Sequence, residues 1–566
     1  MQRCWISAGM FLFVLLAWSL TASAQQGVPC DQLADSSPPQ ATAAVRQEIC
    51  LLVESGVLPE LRWPSFVKLR TQARQFYAAS NYQPVWTVQD QPTAQARALA
   101  GLMQSAALKG LRPEDYDASR WAERLQRFSS APGVTPAEVA RFDIVFTVSV
   151  LRYLSDLNRG RINPNQVEFA LAPKTFPAAE FLRTRVLGAA DVKSAVEQAE
   201  PSLAGYRRTL QALQSYVELA RQGDGDPLPP LIKPVSPGGA YAGVPQLTRR
   251  LQRLGDLAPD APLPAQPGIY DGALVLAVRH FQQRHGLMDN GRIGPETYQQ
   301  LSVPLSRRVA QLQLTLERWR WLPDNLQHSL VAINIPEFRL RAYEDHKEVL
   351  SMRVIVGKSF DHHTPVFADD MEYVIFRPYW NVPTSIVRAE IVPALRRRPN
   401  YLSAHHMEAV NRHGEIVTSQ SKEAGADMVS QLKSGSLELR QRPGPGNALG
   451  LVKFILPNQY SVYLHGTPES HLFQRARRDF SHGCIRVEDP PALAAWVLRD
   501  NPGWTPERIQ AAMNGEQSLQ VNLKHTIPVL VLYGTAFVQE NGEVSFLEDI
   551  YSLDAALQRA LDGTHP

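Results

Sequence analysis

The hydrophobic period of this chain changes near residue 325, and that change limits the folds open to it. Before it, apolar residues recur at spacings of three and four: Val139, Phe142, Val145, Phe146, Val150, Tyr153 and Leu154 line one face of a helix that Gly160 and Pro164 end. After it come LVAINI, FRLRAYE, LSMRVIVG, MEYVIF, VKFIL, YSVYLHG and IPVLVLYG. These short β-branched and aromatic runs, separated by turn residues, predict a sheet. At 566 residues the chain is too long for one ordinary core. The reading is an α+β multidomain protein, with a helical scaffold domain over 25–235, a small three-helix domain over 240–303 and a sheet-rich domain over 326–545.

Punctuation refines these boundaries. DGDPLPPLIKPVSPGG (224–239) is dense in proline and glycine and predicts an extended, stiff connection. Beyond it, VPQLTRRLQRLGDL and DGALVLAVRHFQQRHGL carry helical spacing, and LMDNGRIGPETYQQL adds a turn and a third helix. Another helix, 307–321, precedes the first strand. Between 389 and 445 the strand signal lapses into helical and polar sequence, so this stretch is read as an insertion capping the site.

At the N-terminus, Arg3, an apolar run from Met10 to Leu20 and then Ala22-Ser23-Ala24 have the form of a cleaved signal peptide over 1–24. A retained anchor is the alternative, but the run is short of the roughly 20 residues a span needs, and nothing later reaches that length. The expectation is a secreted or periplasmic protein with no stable membrane span after cleavage. A net charge of +3 from 58 basic and 55 acidic residues argues against nucleic acid as a partner.

Four cysteines then become informative. Cys4 leaves with the signal, and Cys30 and Cys50 are close enough to bridge in an oxidising compartment, although spacing does not decide whether they do. Cys484 would then be a single thiol: a nucleophile, an inert buried residue or half of an intermolecular bridge. A thiol with a pKa of about 8.5 is only a few per cent ionised near neutrality and needs a base. His482 lies two residues before it, and His465 ends the strand YSVYLHG. His465 is the freer to aim, with the Gly466 carbonyl available to fix its tautomer. Backbone N–H groups at Gly483 and Cys484 are candidate oxyanion donors. Arg486, on the same side as Cys484 in an extended segment, is a candidate for holding a carboxylate. A Cys-x-x-Cys redox site is excluded, and a zinc site from His465, His482 and Cys484 lacks regular ligand spacing, so no metal is expected.

His465-Gly466 followed by Ser481-His482-Gly483-Cys484-Ile485-Arg486-Val487 resembles the signature of the L,D-transpeptidase catalytic domain. VIVGKSFDHHTPVF (354–367), PYWNVP (378–383), PGPGNALGLVKFILPN (443–458) and FLEDIYSLD (546–554) extend the likeness. The small domain resembles the peptidoglycan-binding type 1 domain through Leu251, Leu254, Gly255, Asp271, Gly272, Ala277, Phe281, Gln282, Gly286, Leu287, Gly291, Gly294 and Thr297. The whole arrangement is similar to the large periplasmic L,D-transpeptidases of Gram-negative bacteria. That resemblance implies Cys484 as acylated nucleophile, His465 as its proton acceptor and Gly466 as the orienting carbonyl. Ser481, His482 and Gly483 would shape the site and Arg486 would stand beside substrate, while Tyr463 and Trp380 either line the pocket or pack structurally. It further implies 3→3 cross-linking of tetrapeptide stems with release of D-alanine, no cofactor, and acylation by carbapenems. Peptidoglycan stem peptides and glycan are the expected partners, with other cell-wall synthesis enzymes as candidates. An L,D-carboxypeptidase and a non-catalytic wall-binding scaffold are the alternatives.

Overall fold

A computed structural model describes residues 30–33, 40–89, 91–130, 133–262, 266–324, 326, 328–417 and 422–563. The expected signal peptide lies outside them. The chain divides into two compact units, one running to Thr93 with Arg124–Val148 added, the other comprising Ala94–Glu123 and Ser149 onward.

In the first unit, helices Gln40–Ser55 and Arg70–Ala78 and the start of the long helix Pro136–Arg159 surround buried Tyr77, Trp86 and Phe146. Asp143 organises this core by accepting hydrogen bonds from the Tyr77 hydroxyl (2.6 Å) and the backbone N–H of Val85 (2.7 Å) and Trp86 (2.8 Å). Burial pushes its carboxyl up to about 6, opposed by those three donors. A disulfide joins Cys30 to Cys50.

In the second unit, helices Val244–Leu254, Gly272–Arg284 and Pro295–Leu301 close over Leu247, Leu251, Tyr270, Val278 and Phe281. This small core begins earlier than the sequence reading placed it. Leu228 and Val235 are buried in it, and Val235 bridges to the backbone of Ile293, so part of the proline-rich connection is a wall of the domain rather than a spacer.

Eight strands form the main path of a ten-stranded sheet: β1 (Ser329–Asn334), β2 (Arg339–Glu344), β3 (Lys347–Gly357), β4 (Val366–Phe376), β5 (Val452–Ile455), β6 (Leu464–His465), β7 (Ile485–Val487) and β8 (Leu519–Leu532), with Asp479–Ser481 pairing onto β3 and Phe169–Ala170 onto β4. Their order is β5-β6-β7-β3-β2-β1-β8-β4, and β4 also pairs with β5, closing the ring. Side chains alternate between faces with period two. Register therefore puts Val331, Ile333, Leu340, Val354, Val374, Phe454, Leu464, Ile485 and Val487 in one apolar core. Lys453, His465 and Arg486 stand on the opposite face, as do Ile355, Arg353, Arg339 and Arg341.

Three further features differ from expectation. Phe169–Ala170, inside the segment read as wholly helical, is a strand pairing in parallel with Val366–Phe367 of β4. Helix Leu553–Gly563 contributes Leu553, Leu557 and Leu561 to the sheet's core, so that domain continues past 545. The insertion begins by Trp380 and has a four-stranded sheet, ordered Trp380–Asn381, Glu438–Gln441, Met407–Val410, Ile416–Val417, over a core containing Ile386, Ile391, Leu432 and Leu439. Strands of two to four residues are too short for alternation to announce them.

Candidate active site

The parallel pairing of β6 with β7 sets the geometry, because it puts Leu464 opposite Ile485 and His465 opposite Arg486. Cys484 immediately precedes β7, and its neighbour Ile485 donates its N–H to the Tyr463 carbonyl at 3.0 Å. Alternation then gives Tyr463, His465, Cys484 and Arg486 one face, with Cys484 diagonal to His465. On the next strand, Lys453 pairs with His465. Cys484 is half-buried and carries the free thiol among the described residues.

His465 is buried, and its Nδ1 lies 2.6 Å from the Gly466 carbonyl oxygen. A carbonyl only accepts, so Nδ1 carries the proton and Nε2 keeps its lone pair. Burial, followed by the positive charge of Arg486, pulls the imidazole pKa down to about 3, against the stabilising Gly466 carbonyl. The ring is therefore neutral at neutral pH.

The thiol faces the Ser461 carbonyl at 3.8 Å. Burial pushes its pKa up, while hydrogen bonding from Tyr463 and the charges of Lys453 and Arg486 work against burial. Lys453 holds its ammonium 3.7 Å from the Tyr463 ring centre. Burial lowers its pKa, and the nearby thiol's negative form opposes that shift. Ser461 has a left-handed backbone (φ 55°). Asn458 fixes its loop: Oδ1 accepts from Tyr460 N (3.0 Å) and Val462 N (3.1 Å), and Nδ2 donates to Leu456 O (2.8 Å) and Val462 O (2.7 Å).

Ser481 braces the turn before the cysteine, its Oγ donating to the Cys484 carbonyl at 2.6 Å and accepting from Gly483 N at 3.1 Å. That second bond occupies one of the two N–H groups expected to face an oxyanion. Gly483 has φ 110°, which a side chain rarely tolerates. Its carbonyl accepts from Thr364 Oγ1 (2.8 Å), which itself accepts from Gly357 N (2.9 Å). The Tyr551 hydroxyl donates to Gly357 O at 2.6 Å, so the FLEDIYSLD tail buttresses the turn from below.

His482 points elsewhere: its Nε2 lies 2.7 Å from Glu390 Oε1 of the insertion, and its ring meets His362 edge-on. Burial lowers its pKa against the Glu390 contact. Arg486 donates Nη1 to Glu469 Oε2 at 2.5 Å, so its guanidinium is already paired. Trp380 is not brought to this face. It pairs with Gln441 and packs on the insertion's own core, which makes it a structural aromatic there.

Lys453, Thr364, Asn458 and Glu390 were not singled out from sequence. The first three fall in PGPGNALGLVKFILPN and VIVGKSFDHHTPVF, stretches already marked by resemblance. Glu390 carried no local signal.

Comparison with known proteins matches residues 71–213 to a scaffold domain, 241–301 to a "putative peptidoglycan binding domain" and 328–510 to the L,D-transpeptidase catalytic domain. A curated Haemophilus influenzae protein described as a "putative L,D-transpeptidase" is 32% identical over 261 residues, which are 46% of this chain. The match spans 51% of that relative's length. An L,D-transpeptidase crystal structure from Xylanimonas cellulosilytica aligns at 16% identity with 54% of this chain and 100% of that one, with a TM-score of 0.17 that lends no support to the fold. No described helix is long and apolar enough to cross a membrane. Residues 328–510 of this chain are thus similar to the L,D-transpeptidase catalytic domain family, and segments before them match a scaffold domain and a peptidoglycan-binding domain.

Proposed function

We propose that the protein is a periplasmic peptidoglycan L,D-transpeptidase that forms 3→3 cross-links through a thioester on Cys484. The single observation behind this is the free thiol sharing one sheet face with a neutral imidazole whose Nδ1 is held by the Gly466 carbonyl. In this reading the thiol and His465 both rest uncharged. As sulfur attacks the carbonyl carbon of the third residue of a tetrapeptide stem, His465 Nε2 takes the thiol proton. The same proton passes to the departing amine, D-alanine leaves, and a thioester remains. An amine from a neighbouring stem then attacks, its proton returns through His465 to the sulfur, and the cross-link is released.

The surroundings support parts of this cycle. Arg486 meets a donor carboxylate only if Glu469 gives way, and the insertion, read as a lid, touches the turn before Cys484 through Glu390 on His482. Incubation with tetrapeptide muropeptides, followed by mass spectrometry, is expected to show dimers and free D-alanine. Carbapenem treatment is expected to leave one adduct, mapped to Cys484. Active Cys484→Ala protein would sink the proposal, and tripeptide without dimers would reassign it to hydrolysis.

A further inference from the structure

A concavity lies on the same sheet face as Cys484, further round the ring. Its floor is the outer side of β1, β2 and β3, one wall belongs to the peptidoglycan-binding domain through Gln283 and Gly286, and the other is the hairpin Ala536–Phe546. Its volume of about 1520 Å³ exceeds the roughly 300–1,000 Å³ typical of small-molecule sites, so it suits a length of polymer.

Charge decides which polymer. Seven arginines and six acidic residues line the groove, a near balance that disfavours a polyanion. The prominent arginines are also engaged. Arg341 pairs with Glu337 at 2.5 Å and Glu348 at 3.0 Å, Arg318 with Asp554 at 2.5 Å, and Arg353 with Glu488. A stem peptide, rich in carboxylates, would find few unpaired cations here. What the groove offers instead is partly exposed aromatic surface at Tyr343 and Phe537, set among ion-paired side chains with fixed donors and acceptors. Arg341 lies 4.2 Å from the Phe537 ring centre, which holds that wall in place. Apolar C–H faces of sugar rings stack on such rings, and their hydroxyl and acetamido groups bond to paired charges without needing net charge.

We infer that this groove binds the glycan strand of peptidoglycan, a chain of N-acetylated sugars, alongside the face that carries Cys484. The inference rests on the peptidoglycan reading above and gives the glycan, expected there as a partner, a specific seat on the sheet.

The test uses the full chain and peptide-free glycan strands prepared by amidase digestion of sacculi, with affinity read by calorimetry. Tyr343→Ala and Phe537→Ala are each expected to weaken binding about 3–10-fold, as loss of one stacking ring does, and Tyr343→Phe to restore it. Matched melting curves exclude misfolding. Val88→Lys, at an exposed position in the first unit and outside the peptidoglycan-binding domain, is expected to bind normally. Unchanged affinity in both alanine variants, loss confined to Val88→Lys, or displacement of glycan by free tetrapeptide would each overturn the assignment. Acylation of Cys484 by tetrapeptide, followed by intact mass, is expected to survive Tyr343→Ala. Its absence in the unaltered protein would count against the transpeptidase reading while leaving the glycan measurement intact.

Discussion

The Lys453 ammonium lies over the Tyr463 ring, 3.7 Å from its centre, and both groups interact with the Cys484 thiol. Removing the cation takes away one of the charges that oppose burial. Lys453→Met should therefore raise the thiol pKa further, and Lys453→Arg should restore part of the difference. The pH profile of iodoacetamide alkylation measures this: a thiol that ionises one pH unit higher should react about tenfold more slowly near neutrality. An identical profile would show that Lys453 does not sense the thiolate.

Gly450 approaches the backbone that carries the Gly466 carbonyl. A Cβ there would lie 2.7 Å from Gly466 C and from Thr467 N, and φ is 65°, so steric crowding and a left-handed backbone both oppose a side chain. Gly450→Ala should cost about 1–3 kcal/mol and shift the carbonyl that orients His465. Thermal melting reads the first effect and the rate of carbapenem adduct formation the second. Normal acylation in a folded variant would separate Gly450 from catalysis.

Proton linkage follows from the buried His465. Its pKa falls from 6.5 to about 3 in the folded chain, so between those values the unfolded chain binds a proton that the native state refuses. Stability is then lost as pH drops from 6.5 toward 3, with a limiting slope of about 1.4 kcal/mol per pH unit. Asp143 works in the opposite sense: raised from 3.8 to about 6, it favours the folded state most at low pH and loses that contribution as pH rises through this window. Comparison with His465→Gln isolates the histidine. On going from pH 7 to pH 5 the urea midpoint of the native sequence should move further toward lower urea than that of the variant, whatever the common contribution of the carboxyls, and equal shifts would contradict a neutral buried ring.

Cys30 and Cys50 are 20 residues apart, and their bridge fastens the 3₁₀ turn Cys30–Leu33 to the first helix. Reduction, or a Cys30→Ser/Cys50→Ser double variant, should destabilise the first unit by about 3 kcal/mol. Urea unfolding checks the size, and Cys484 alkylation should be unchanged. Coupled loss of thiol reactivity would mean that the bridge matters beyond its own unit.

The parts of the site that are legible in sequence are those written contiguously. His465 ends a strand and the SHGC turn follows within twenty residues, so a short parallel pairing brings the two together. Trp380 escapes such a reading because its partner, Gln441, lies about sixty residues on, and no local pattern encodes that register. The Gly483 N–H, expected at an oxyanion, is captured instead by Ser481 two residues earlier, a local side-chain competition that the sequence does contain. In the proline-rich connection, composition outweighs Leu228 and Val235, whose apolar side chains are the sign that it packs.

The two-residue strand Phe169–Ala170 gives the sheet's Val366–Phe367 segment its outer neighbour. Cutting the chain at residue 326 to isolate the transpeptidase portion would strip that neighbour away and leave bare amides flanked by apolar side chains, an adhesive rim for other molecules of the same protein. Soluble truncations should therefore retain the stretch around residue 169, however remote from the chemistry it looks on a linear map.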